Sequence, residues 1–375
     1  MRVTKLLSRG AMMVLPLCLF SAPSFAETRG YVIGWFSTAT YNDFQNNCPL
    51  DKNGGGLKLR LRNLMEIGYS EKEALEIING TAVNLSPDIN KRINNRAIVN
   101  GKPVPVPNYP EAVRDPMIES VTGKYAYGFD LGGKSDQSKF VDPDTNEKID
   151  NQLWRAVGCT ESYRATPPEQ PYPEELSWAT LIDTAPGWAI YLTGENLDKD
   201  GPVTVTTDRL LQHLERDANG KVMPFGTYVI DPSPKSHNVF QGEIKDGILT
   251  ITPSKLYMKA QHPFYLDIAL TNAHMRLRHE VDGRLTGYWG GYLDWQRYAY
   301  MYTSRPANGA DYIGLYHSLR RMADANPDPA TGKNRDISGT FRMEALPAYL
   351  ANIDGKVIAP AFERGTKPEK LASGQ

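Results

Sequence analysis

The feature that most limits this chain is a pair of aspartate–glycine turns set between apolar, β-branched runs. Asp246-Gly247 separates residues 239–244 from 248–252, and Asp282-Gly283 separates 273–281 from 285–293. A two-residue Asp-Gly turn matches the twist of an antiparallel strand pair. Met275-Arg276-Leu277-Arg278 alternates apolar and basic, the period of a strand with one face buried. Residues 226–230, 264–271 and 337–344 are further strand-like runs. The second half therefore predicts an antiparallel sheet.

The first half reads differently. Residues 30–40 and 187–193 are β-branched and aromatic, as in strands. Ser70-Glu71-Lys72-Glu73 is a capping box opening a helix over 71–79, which Gly80 ends. Helical spacing also marks 57–67, 208–216 and 313–325, whereas 81–180 is rich in Pro, Asn and Asp with little periodicity. The expected fold class is α+β: an antiparallel β-sandwich or open barrel in the C-terminal half, with a helical, loop-rich N-terminal half packed on it. The expected divisions are a leader at 1–26, a helical and loop-rich region at 27–180, a β-rich region at 181–362 and a frayed tail at 363–375.

The leader reading rests on Arg2, Lys5 and Arg9 before an uncharged apolar run over 11–20, then Ser24-Phe25-Ala26. This is the pattern of a cleaved export signal, with cleavage near Ala26 and a periplasmic or secreted destination. The run is shorter than the ~20 residues of a membrane span, and no later run is long and apolar enough to be one. Cys48 and Cys159 then remain. In an oxidising compartment they most simply form one disulfide, the alternative being two buried thiols. A net charge of -1 and a sequence pI near 6.6 exclude a strongly basic nucleic-acid binder.

Several chemical motifs fall short on inspection. Residues 128–135 match the phosphate-loop pattern, but Asp136 to Pro143 is no helix, so the stretch reads as a glycine turn. Asn196, Asp198 and Asp200 before Gly201 resemble a calcium loop, which makes calcium a candidate cofactor, yet position twelve is Thr207 rather than Glu. A second acidic run, Asp142 to Asn146, lacks the glycine. Of the six histidines, His274 and His279 lie five apart on a predicted strand and face opposite ways. No G-x-S-x-G elbow occurs.

Residues 288–302 hold seven aromatics around Gly290-Gly291. Tyr288, Trp289, Tyr292 and Trp295 are the candidate platform for a small ligand or a protein partner. The competing reading is a tyrosine-rich sheet core. Residues 35–49 (WFSTATYNDFQNNCP) and 287–295 (GYWGGYLDW) resemble segments of secreted proteobacterial proteins of no assigned activity. That resemblance implies neither a reaction nor a catalytic residue.

The sequence thus points to a secreted binding or accessory protein that uses an aromatic-rich surface. The alternative is a secreted hydrolase of a carbohydrate or ester, with Asp294, Glu280 and His279 as candidate catalytic residues.

Overall fold

The computed structural model describes residues 26–41, 43, 47–48, 61, 64–65, 68–82, 91–92, 97–104, 108–115, 117–132, 139–160, 163, 183–260, 267–303 and 312–362. The expected leader except Ala26, residues 164–182 at the end of the Pro-rich region and just beyond, residues 133–135 of the phosphate-loop match and the tail at 363–375 lie outside them.

Eight antiparallel strands close into a barrel. They are β1 (Glu27–Thr38), β2 (Trp188–Gly194), β3 (Gly201–Arg209), β4 (Asn238–Lys245), β5 (Ile248–Ile251), β6 (Ile268–His279), β7 (Leu285–Asp294) and β8 (Asn334–Pro347). Each strand pairs with the next along the chain, and β8 returns to β1. This up-and-down order leaves the barrel wall without an edge. Ser254–Met258 pairs with β6 outside this circuit, and Ala325–Pro327 extends the sheet beyond β8.

Local chemistry explains the hairpins. At Asp246 and Gly247 φ is +52° and +73°, the two positive values that a tight β4–β5 turn requires. The second expected turn is longer: β6 ends at His279 and β7 starts at Leu285, with Gly283 at φ +87° and Asp282 accepting the Arg284 N–H. Ser70 and Glu73 make both capping-box bonds at the start of α1 (Glu71–Ile78).

The α+β expectation is corrected. The fold is mainly β, and the sheet is a closed barrel rather than a sandwich or an open barrel. A helical N-terminal half is not shown; before β2 the described helices of α type longer than one turn are α1 and α2 (Gln152–Val157). The strand at the chain's start is a barrel stave. Tyr31 pairs with both Pro347 and Ile190, so β1 seals the seam between β8 and β2. The predicted helix at 208–216 is also corrected, because β3 runs to Arg209. Its run Val203-Thr-Val-Thr-Thr207 is β-branched and stiff at χ1, which favours extended backbone over helix. The other long helix expected, at 313–325, is present as Tyr312–Met322, labelled α4, and α3 (Trp295–Thr303) precedes it.

Aromatic side chains fill the barrel interior. Phe36 stacks on Phe341 at 5.2 Å and meets Trp188 edge-on at 5.8 Å. Trp289 meets Phe240 at 5.5 Å. Their in-register neighbours Met275, Leu277, Leu249 and Val205 are buried too. An eight-stranded barrel is narrow enough for side chains to fill it in this way. The outer wall carries Arg276, Arg278, Arg342 and Glu344, so apolar-in and polar-out inverts the pattern of a membrane-crossing barrel. No helix among the described residues is long and apolar enough to cross a membrane.

Described residues within 118–132 and 139–160 lie over the outer faces of β6, β7 and β8. Tyr127 stacks on Tyr288 at 4.9 Å, and the Gln152 N–H donates to Ser338 Oγ at 2.9 Å. Gly290 makes room for the Phe129 ring, which lies 2.4 Å from where a Cβ would stand. The Cys48–Cys159 disulfide ties this covering to the segment that follows β1.

Candidate functional site

On the outer wall Arg276, Tyr288 and Arg342 stand opposite one another across β6, β7 and β8. Arg278, Thr286 and Glu344 form the next outward row, two residues further along each strand. Arg276, Tyr288 and Arg342, with Arg278 and Thr286 of the second row, floor a groove of about 450 Å³. Asp144 and Thr145 overhang it, and Ile248 and Glu280 complete it. The size is ordinary for a small-molecule site.

Asp142 fixes the groove's charge. Its carboxylate is fully buried. Oδ2 accepts from Arg276 Nη2 at 2.7 Å and from the Gly128 N–H at 3.1 Å. Oδ1 accepts from the N–H groups of Asp144 and Thr145 at 2.9 and 3.2 Å. One side chain therefore shapes the overhanging turn and pins the arginine beneath it. A buried charge holds its place when its acceptor sites are filled in this way. Across the floor, Arg342 pairs with Glu344. Arg278 is exposed and has no partner among the described residues. The phenols below are desolvated. Burial, then the neighbouring Tyr127, holds the Tyr288 pKa well above its ordinary value, and burial followed by Asp144 raises Tyr127.

The aromatic stretch does not form one surface. Tyr288 lines the groove. Trp289 points into the barrel, 0% exposed, with its indole N–H donating to Met343 Sδ at 3.2 Å. Tyr292 lies under the covering segment, donating to the Leu131 carbonyl at 3.1 Å, and burial pushes its pKa up to about 12. Trp295 opens α3, is buried, and donates to the Asn334 carbonyl at 3.0 Å. Trp295 and Tyr316, 5.4 Å apart, border a second cleft of about 920 Å³ beyond the end of β7, with Asp294, Arg320 and Lys333. Alternation along β7 and the change to helix at Trp295 separate residues that the sequence places together.

The candidate catalytic residues are also apart. Asp294 caps α3, accepting from Gln296 and Arg297 N–H at 2.8 and 3.2 Å. Glu280 accepts from Thr286 Oγ1 at 2.5 Å near the opposite end of β7, about 30 Å away at ~3.4 Å per strand residue. His279 faces the barrel mouth, hydrogen-bonded to Tyr31 at 3.3 Å and set against Phe362 at 4.4 Å. His274 lies outside against Phe129, so the two histidines do face opposite ways.

In the candidate calcium loop the oxygens turn elsewhere. Asp198 gives both oxygens to Arg29 at 2.9 and 2.8 Å, which holds its carboxyl below the ordinary range. Asn196 accepts from the Asp198 N–H, and Asp200 accepts from the Asp246 N–H at 2.9 Å. The loop is the turn that joins β2 to β3.

Sequence reasoning missed Tyr127 and Arg342, took Asp142 only as part of an acidic run weighed for calcium, and took Arg276 and Arg278 only as strand alternation. The alternation at 275–278 was the one local signal, since it sets both arginines outward. Compared with protein-family models, with curated proteins and with solved structures, the chain matches none.

Proposed function

We propose that the protein is exported and binds a small polar ligand in the groove beside Tyr288. The observation that carries this is the Asp142 clamp: an open groove on paired strands whose floor arginine is held by a fully buried carboxylate. Groups held rigidly before binding lose little freedom on meeting a ligand. The disulfide supports an oxidising destination.

Native mass spectrometry of the protein recovered from its own host tests this reading. The wild type is expected to retain a small adduct and to begin at Glu27. Arg278→Ala, which removes an exposed side chain with no partner among the described residues, is expected to lose the adduct while keeping its melting temperature. Bare protein in both samples would remove the groove reading.

One observation favours a second reading, hydrolysis of a glycoside or ester: two carboxylates, Asp144 and Glu280, line the same groove. Turnover of an aryl glycoside or aryl ester that disappears in Glu280→Gln would establish it. Turnover unchanged in that variant, or none in the wild type, would discard it.

A further inference from the structure

Three arginines converge on one groove. Arg276 and Arg342 stand on either side of Tyr288 in a single cross-strand row, and Arg278 stands in the next row along β6. Neighbouring strands are ~4.8 Å apart and outward rows ~6.8 Å apart, so the three side chains rise from a patch of roughly 10 by 7 Å. All three line the groove of about 450 Å³. Strand alternation puts them on the same outer face, because each is an even number of residues from its neighbour or directly opposite Tyr288 or Thr286.

The three differ in what they hold. Arg276 gives Nη2 to the buried Asp142, and Arg342 gives Nη2 to Glu344. A guanidinium carries five N–H donors and keeps its charge in proteins, so donors remain on both. Arg278 has no partner among the described residues. Its register explains this: it stands between Ile248 on β5 and Thr286 on β7, neither of which brings a carboxylate. Glu280 follows two residues later, but its Oε1 accepts from Thr286 Oγ1 at 2.5 Å. Glu280 and the exposed Asp144 are the two carboxylates that line the groove, against three guanidinium groups. A ligand that suits both kinds of group brings an anion to the free arginine and hydroxyl donors to the carboxylates.

We infer, on the groove reading proposed above, that the ligand is a hydroxylated oxyanion, a sugar acid or a sugar phosphate, whose anionic group meets Arg278 and whose hydroxyls donate to Glu280 and Asp144. The planar guanidinium fork matches two oxygens of a carboxylate or phosphate. A neutral sugar would leave the Arg278 charge unanswered.

The test follows the Tm of the dialysed, disulfide-bonded protein, at fixed pH and ionic strength, as D-glucuronate, D-glucose 6-phosphate or D-glucose is added. A saturable rise of about 2–4 °C is expected with at least one of the two anions and none with glucose. A response to one anion alone identifies the anionic group. Arg278→Lys keeps the charge and should keep part of the rise. Arg278→Gln keeps N–H donors without the charge and should lose about tenfold or more in affinity. No rise with either anion, an equal rise with glucose, or an unchanged response in Arg278→Gln would overturn the inference. The groove reading fails on a different result, bare protein in native mass spectrometry, so a neutral adduct would sink the inference and leave that reading standing.

Discussion

At Asp142 four donors converge on one buried carboxylate, and their loss has a measurable consequence. Asp142→Ala leaves Arg276 and three backbone N–H groups without their acceptor. Removing one partner of a buried pair costs about 3 kcal/mol or more, read as a lower urea midpoint at unchanged slope. Asp142→Asn keeps one acceptor oxygen and should cost less. Trp289→Ala empties the barrel centre and should cost roughly 3–5 kcal/mol by the same measure. Asp324 supplies a pH signature. Burial pushes its pKa up to about 6, although Ser338 donates to it through both N–H and Oγ at 2.7 Å. The unfolded carboxyl releases its proton near pH ~3.9. Between those values the folded state holds more protons, so this residue's contribution to stability falls as pH rises from about 4 through about 6. Asp324→Asn should flatten that slope in chemical denaturation measured across the window.

Among the elements, the hairpins and the covering segment answer to different physics. Gly247 has φ +73° and open space around its Cβ position, so Gly247→Ala should cost only the left-handed backbone penalty, about 1–2 kcal/mol. At Gly290 the obstacle is a neighbour, because an added Cβ would lie 2.4 Å from the Phe129 ring. Gly290→Ala should therefore lift the covering segment at Phe129 from β7 and raise amide exchange around residues 127–131, where Gly247→Ala leaves it unchanged. The strand runs and the capping box were legible because each depends on residues a few positions apart. The end of β7 was not: alternation continues to Asp294 and then yields to the helix that Asp294 caps, which sends Trp295 and Tyr298 to new surroundings.

At the scale of the whole molecule, barrel closure and the disulfide are long-range events. β1 and β8 are joined by a register that pairs Tyr31 with Pro347, so the seam forms only after the chain has returned over almost its full length. The disulfide spans 111 residues. In the chain-entropy model a loop of that size contributes about 4–5 kcal/mol, and removal of native disulfides costs ~2–5 kcal/mol. The double variant Cys48→Ser/Cys159→Ser should melt well below the oxidised wild type and should not respond to reductant, whereas the wild type falls toward it on reduction.

The sequence by itself determined the antiparallel hairpins, the strand near the start of the described residues, the helix at 71–78 and the cysteines available to pair. Each is written in neighbouring residues through turn chemistry, side-chain period, capping or simple count. Tertiary structure alone decided that the sheet closes, that the first stave meets the last, and that Tyr288, Trp289, Tyr292 and Trp295 enter separate environments. It alone set the buried Asp142 carboxylate against Arg276. Those outcomes depend on pairing across hundreds of residues and on which side of the wall a side chain falls, and neither has a local signature.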